Sequence, residues 1–302
     1  EPLMARSTLT TVDRARGLFL GLAAGHALGL DSGSGVAPCP EGDGGTRSIR
    51  RQDTPKSPWG AHVALAIGVA EELLEVEVDL QRLTGRWIAW WRRDGRSLDP
   101  ETVEALDHLA RHDAPLPDQA PGPGIGWVAR ALPIALATWQ QPRNLVSGTY
   151  HTIRLATPDT EVAWAAVALN VTVGQFLEGR QDFLPEVIEA LKANDASPGL
   201  LGLLRRIPFI GPDEWQPREA HPASACAEQV LWLAYHDPNL ERAVLRAVDQ
   251  PIVGETLGAA VGAVLGARDG EAAVPAGWVA ALPDPETLRT LAKRLVAART
   301  PL

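Results

Sequence analysis

The sequence predicts an all-α protein folded as a compact, multi-helix single domain. Helical periodicity runs through nearly the whole chain, and strand signals are almost absent. Helix starts recur as Ser57-Pro58, Asp99-Pro100-Glu101, Asp237-Pro238 and Asp284-Pro285-Glu286, each a capping side chain ahead of a proline at the first helical position. Glycines four residues apart form two ladders, at 17, 21, 25 and 29 in "GLFLGLAAGHALGL" and at 254, 258, 262 and 266 in "GETLGAAVGAVLGARDG".

In order along the chain, a helix over 11–29 holds the first ladder, and one over 58–75 follows the Ser57-Pro58 start. A third over 80–93 carries Trp87, Trp90 and Trp91, and a fourth over 99–111 begins on the Asp99 cap. Periodicity continues over 126–139 with Trp139, over 160–178 with Trp164, and over the shorter stretches 183–193 and 198–205. The last four run over 222–235 with Trp232, 239–249 behind Asp237-Pro238, 255–267 with the second ladder, and 285–298 behind Asp284-Pro285-Glu286. Segments 31–56, 112–125 and 206–221 are rich in glycine, proline or both and interrupt the pattern. The helical pattern is alike on both sides of each, so residues 1–302 read as one domain, with 31–56 as a long loop or lid.

Each interior glycine weakens a helix by roughly 1 kcal/mol relative to alanine. Two bare stripes at spacing four let two helix backbones touch, which is the plainest compensation, so the two ladders are expected to cross in the core. That crossing makes His26, at the end of the first, a neighbour of Glu255 and Thr256, at the start of the second.

Composition narrows the function. The chain has 302 residues, 45% of them hydrophobic, and a net charge of -9, which argues against non-specific nucleic-acid or anionic-membrane binding. The basic pairs Arg50-Arg51 and Arg92-Arg93 read as solvated surface. The apolar run from Gly17 lasts fourteen residues before Asp31, short of the roughly 20 that span a bilayer. Cys39 and Cys226 are too few for a disulfide framework and unlike a metal-binding motif, which suits a reducing cytoplasm, though one bridge between them stays possible. Met4 is the only methionine, so Glu1, Pro2 and Leu3 read as an expression remnant, and no signal peptide follows. Among the tryptophans, those inside helical patterns read as core, whereas Trp59, Trp127 and Trp215 lie at helix starts or in loops, where a ring can stack on a base or sugar. No phosphate-cradling Walker sequence, dinucleotide glycine motif or nucleophile elbow is present.

Five segments, "RARGLFLGLAAGHALG", "SPWGAHVALAIGVAEELL", "GIGWVARALPIALA", "LATPDTEVAWAAVALNVTVGQFLEG" and "PIVGETLGAAVGAVLGARDG", occur in an order that resembles the ADP-ribosylglycohydrolase family, also called the dinitrogenase-reductase-activating glycohydrolase family. The resemblance implies an all-α single domain and, in active members, cleavage of ADP-ribose from acceptors by two Mg²⁺ ions held on carboxylates and hydroxyls. Against that pattern, Gly25-His26-Ala27 stands where the family has Gly-Asp-Ala. Gly60-Ala61-His62-Val63 replaces Thr-Asp-Asp-Thr, and Val253-Gly254-Glu255-Thr256 replaces Asp-Thr-Asp-Thr. Ala156-Thr157 stands for Thr-His ahead of a retained Pro158-Asp159, and Gly124, Gly126, Arg130 and Pro133 match while Ile125 replaces asparagine.

Two divalent ions would bring four positive charges to a cleft whose matched positions return only Glu255, so the dinuclear magnesium centre is expected to be lost. The chain therefore reads as a degenerate member that keeps the cleft and binds an ADP-ribose-like or nucleotide-like ligand. The ligand-binding candidates are Trp59, Gly124, Gly126, Trp127 and Thr256, with the amides of the Gly124–Trp127 turn meeting a phosphate. An alternative is an active hydrolase of an N- or O-glycosidic bond with altered chemistry on the candidate catalytic residues His26, His62 and Glu255. These either hold one zinc ion or act metal-free, with a histidine as general base beside Glu255. The plainer reading of each histidine is a buried, hydrogen-bonded core residue in the space of a departed ion. A scaffold or partner-binding protein is the remaining class, acting through the 31–56 loop with "SIRRQDT" inside it.

Overall fold

A computed structural model describes residues 9–33, 49, 59–95, 98–117, 124–211, 214–216, 220–250 and 253–298. The helices are α1 (Thr11–Gly33), α2 (Ala61–Glu72), α3 (Leu80–Asp94), α4 (Pro100–His112), α5 (Trp127–Arg130), α6 (Pro133–Thr138), α7 (Pro142–Arg154) and α8 (Thr160–Leu177). They continue as α9 (Leu184–Lys192), α10 (Pro198–Arg206), α11 (Pro222–His236), α12 (Leu240–Val248), α13 (Gly254–Asp269), α14 (Ala276–Ala281) and α15 (Pro285–Ala298). Short 3₁₀ turns cover Ile207–Phe209 and Glu271–Ala273, and no strand occurs among the described residues.

The two glycine ladders are the spine of the fold. Helices α1 and α13 lie antiparallel along their whole length rather than crossing at one point, with Gly17 facing Gly266, Gly21 facing Gly262 and Gly25 facing Gly258. A β-carbon built on Gly21 would stand 2.0 Å from the carbonyl oxygen of Gly262, and one on Gly25 1.9 Å from that of Gly258, so no side chain fits on either stripe. Because the pair is antiparallel, the C-terminal part of α1 meets the first turn of α13.

Helix α8 is apolar on every side, as a helix enclosed by others must be, and packs against α7, α11 and α13. Helices α12 and α15 cover the flanks of the glycine pair with one apolar face each, α12 burying Leu240, Ala243, Val244 and Ala247. Trp87, Trp127, Trp232 and Trp278 are fully buried. No helix of the described residues is long and apolar enough to cross a membrane.

Several elements depart from the sequence reading. The stretch 126–139 is two short helices, because Pro133 has no N–H to continue α5 and instead opens α6. Helices α7 and α14 were not anticipated: α7 has no capping side chain and α14 has only six residues. The first helix runs on to Gly33, four residues past its expected end, so Asp31 is helical. Asp99 caps α4 as expected, and Asp284 accepts from Thr287 N at 3.1 Å at the start of α15. For α12, however, the cap is Asn239; Asp237 is buried at the end of α11 and pairs with Arg242 at 2.8 Å. The Ser57-Pro58 start, Glu1 to Leu3, Arg50-Arg51 and, apart from 31–33 and Ile49, the 31–56 segment lie outside the described residues. Cys226 is a buried free thiol pushed up to about 12 by burial, and Cys39 lies outside the described residues.

Candidate functional site at the end of the glycine spine

Where α1 and α13 meet, four elements converge. Helix α1 contributes His26, one residue past the ladder's Gly25. The first turn of α13 contributes Glu255 and Thr256, and the first turn of α2 contributes His62. From α5 comes Arg130, with Asp99 and Thr102 behind it at the start of α4. His26 and His62 are each 3% exposed, and their rings meet edge to face at 5.1 Å.

Glu255 Oε1 lies between the two imidazoles, 3.3 Å from His26 Nδ1 and 3.6 Å from His62 Nε2. His62 Nε2 is also 3.2 Å from Thr256 Oγ1. Arg130 donates from Nε to His62 Nδ1 at 3.2 Å, from Nη1 to Thr102 Oγ1 at 2.7 Å and from Nη2 to Asp99 Oδ2 at 3.1 Å. With Nδ1 accepting, the ring proton of neutral His62 sits on Nε2, toward Thr256 Oγ1 and Glu255 Oε1. The Arg130 guanidinium lies 4.7 Å over the Trp127 ring, which in turn packs on Trp87.

Burial sets the protonation of the cluster. It drives His26 down to about 3, with the Arg130 cation adding to the effect. It also holds His62 well below the usual histidine range, again helped by Arg130 and then by His26. Burial pushes the Glu255 carboxyl up to about 7; Arg130 opposes this and Asp99 adds to it. For Asp99 burial acts upward, but Arg130 and Thr102 together hold it below the ordinary carboxylate range. At neutral pH the cluster thus holds two uncharged imidazoles beside a carboxyl that is partly protonated.

The structure brings together His26, His62, Glu255 and Thr256 as the sequence anticipated. Their metal-capable atoms, one each from His26, His62 and Glu255, lie within 4.8 Å of one another. His62 is buried and hydrogen-bonded, but neither nitrogen of buried His26 has a hydrogen-bond partner, contrary to the plainer reading of that residue. Gly126 is buried under His62: a β-carbon there would lie 2.8 Å from His62 Cε1 and 2.9 Å from Arg130 Nη2. Trp127 is 0% exposed, so its ring offers no face to a ligand. Helix α5 has only four residues, too short to present the phosphate-binding helix start expected at Gly124–Trp127. Trp59 and Gly124 are half-buried, and Trp215 packs on Trp232 at 5.6 Å. Sequence reasoning missed Arg130, Asp99 and Thr102 as parts of the site. The available signal was an arginine inside an apolar stretch, "WVARALPIALA", which has to find a buried acceptor set.

A family model for ADP-ribosylglycohydrolase matches residues 7–301. This chain belongs to the ADP-ribosylglycohydrolase family. A solved structure titled "ADP-ribosylglycohydrolase-related protein complex" has the same fold, with a TM-score of 0.73 at 24% sequence identity over 96% of this chain and 99% of that one. No curated protein matches this chain. In this family member, the glycine spine ends in a centre built from two imidazoles, a guanidinium, a hydroxyl and the Glu255 carboxyl.

Proposed function

We propose that this protein binds an ADP-ribose-type ligand in the cleft beside Glu255 and has given up hydrolysis by a magnesium pair. One observation carries this reading: the donors that converge at the end of the spine are two imidazoles, one carboxyl and one hydroxyl, with a buried guanidinium bonded to one of the imidazoles. Mg²⁺ is a hard ion that takes oxygen ligands in near-octahedral array. Asp99 is already engaged by Arg130 and Thr102, which among the described residues that converge here leaves Glu255 against four positive charges. The residues therefore do not fit a dinuclear magnesium centre. Calorimetric titration of ADP-ribose into the protein, in chelator and in excess MgCl₂, tests this. Equal affinity in both supports it; heat that appears only with magnesium overturns it.

A second reading has its own observation. Glu255 is pushed up to about 7 by burial, and its side chain keeps 32% exposure, so it can take a proton from water at neutral pH and still reach a substrate. In that reading Glu255 is the general base for metal-free cleavage of an N- or O-glycosidic ADP-ribosyl bond. Release of ADP-ribose from an ADP-ribosylated protein in chelator, lost in Glu255→Gln, supports it; no release by the native chain in chelator removes it.

A further inference from the structure

The unpartnered nitrogens of His26 point to an occupant for the same site. Burying a polar ring without a hydrogen bond is unfavourable, and His26, 3% exposed, has no hydrogen-bond partner at Nδ1 or Nε2 among the described residues. The separations around Glu255 Oε1, 3.3 Å to His26 Nδ1 and 3.6 Å to His62 Nε2, are long for hydrogen bonds. They bracket the ~3.4 Å edge of a tetrahedron whose corners stand about 2.1 Å from a central zinc ion.

We propose that His26 Nδ1, His62 Nε2 and Glu255 Oε1 bind one divalent ion of the zinc type, with a water molecule as the remaining ligand. The proposal rests on the reading that the magnesium pair is lost, since both would occupy the same end of the spine. Two nitrogens and one carboxylate oxygen are a donor set for zinc or cobalt and a poor one for magnesium. One ion is also what the charges allow: Asp99 neutralises Arg130, and Glu255 then faces two positive charges instead of four.

Two adjustments accompany binding. A tetrahedral set has edges of ~3.4 Å, so a trio spread over as much as 4.8 Å has to draw together around the ion. The proton on His62 Nε2 has to leave that atom, and it moves to Nδ1, while the proton that Glu255 carries in part at neutral pH is released to solvent. Arg130 then gives up its bond to His62 and keeps those to Asp99 and Thr102. Nothing is oxidised or reduced, and the ring stays neutral.

The test titrates Co²⁺, then Zn²⁺, into chelator-treated full-length protein, following visible cobalt absorption and heat. The expected result is one ion per chain, intense cobalt bands of low coordination number, and displacement by Zn²⁺ but not by Mg²⁺. Glu255→Gln and His62→Ala should each weaken binding about tenfold or more. His108→Ala is the surface control, since His108 and His112 face each other at 4.4 Å on α4; it should change nothing. Gly60→Ala, which retains every ligand and only pushes the His26 ring, should also weaken binding and serves where His62→Ala fails to fold. Absence of the bands, or binding that survives both Glu255→Gln and Gly60→Ala, overturns the proposal. ADP-ribose titrated into the metal-free protein keeps the two readings apart: binding there without a cobalt site refutes the ion alone, and a cobalt site without ADP-ribose binding refutes the ligand alone.

Discussion

Gly60 lies directly against His26: a methyl group at position 60 would stand 2.0 Å from the His26 Nε2 atom. Where the family resemblance puts threonine at 60 and aspartate at 26, this chain has the smallest residue opposite a larger ring, so the two substitutions are sterically complementary. Gly126 does the same for His62. Both imidazoles therefore sit in seats that neighbouring residues make room for.

That complementarity is measurable by a double-mutant cycle. Gly60→Ala should lower stability by about 1–3 kcal/mol, the usual cost of overpacking. The same change in a His26→Ala background should cost much less, giving a coupling of about 0.5–3 kcal/mol. Urea unfolding of the four proteins provides the numbers, and additivity would show that Gly60 does not shape the His26 seat.

Alanine substitutions on and off the spine should have opposite signs. Gly21→Ala drives a methyl to 2.0 Å from the Gly262 carbonyl oxygen, backbone that cannot give way, so it should cost at least about 3 kcal/mol or prevent folding. Gly85 lies exposed inside α3 with nothing within 4 Å of a built β-carbon. Gly85→Ala should raise stability by about 0.5–1 kcal/mol through helix propensity alone. Thermal melts of the two variants decide the matter; a tolerated Gly21→Ala would disprove backbone contact between α1 and α13.

The metal-free protein should lose stability on mild acidification. His26 and His62 titrate below their ordinary 6.5, so the folded state binds fewer protons than the unfolded one. The stability they provide is complete above 6.5 and falls as pH drops toward 3. Glu255 works in the other direction: its folded value near 7 exceeds 4.5, so its contribution is complete below 4.5 and is lost as pH rises through 7. Between 4.5 and 6.5 two histidines oppose one carboxyl, a net of one proton or about 1.4 kcal/mol per pH unit. Subtracting the stability profile of His26→Leu in chelator should remove about that slope; identical profiles would mean that His26 is not held neutral by burial.

Arg130 is the cation around which the site is organised. Replacing it with glutamine leaves Asp99 and the His62 Nδ1 atom without their charged partner, in a position that is 1% exposed, and should cost about 3 kcal/mol. The His62 proton affinity should rise as well, because Arg130 is the second-largest influence holding it down. NMR titration of the His62 ring in native and Arg130→Gln protein reads this directly, and an unchanged His62 titration would exclude Arg130 as its neighbour in solution.

Much of the site was legible because it is encoded at short range. Glycine at every fourth position defines a bare helix stripe without reference to anything else, and two such stripes have only each other to face. Their pairing therefore placed His26 beside Glu255 and Thr256, and the loss of acids at 26 and 62 could be read position by position. The all-α architecture follows from the same local periodicity. Residues whose role depends on a distant partner were silent. Gly60 gains meaning only from a ring on α1, Arg130 only from Asp99 and Thr102 on α4, and the empty hydrogen-bonding capacity of His26 only from everything packed around it. Periodicity is a property of one helix and is written in its own spacing. Which buried groups end within 3 Å of one another is decided when helices pack, because each partner's identity lies far away along the chain.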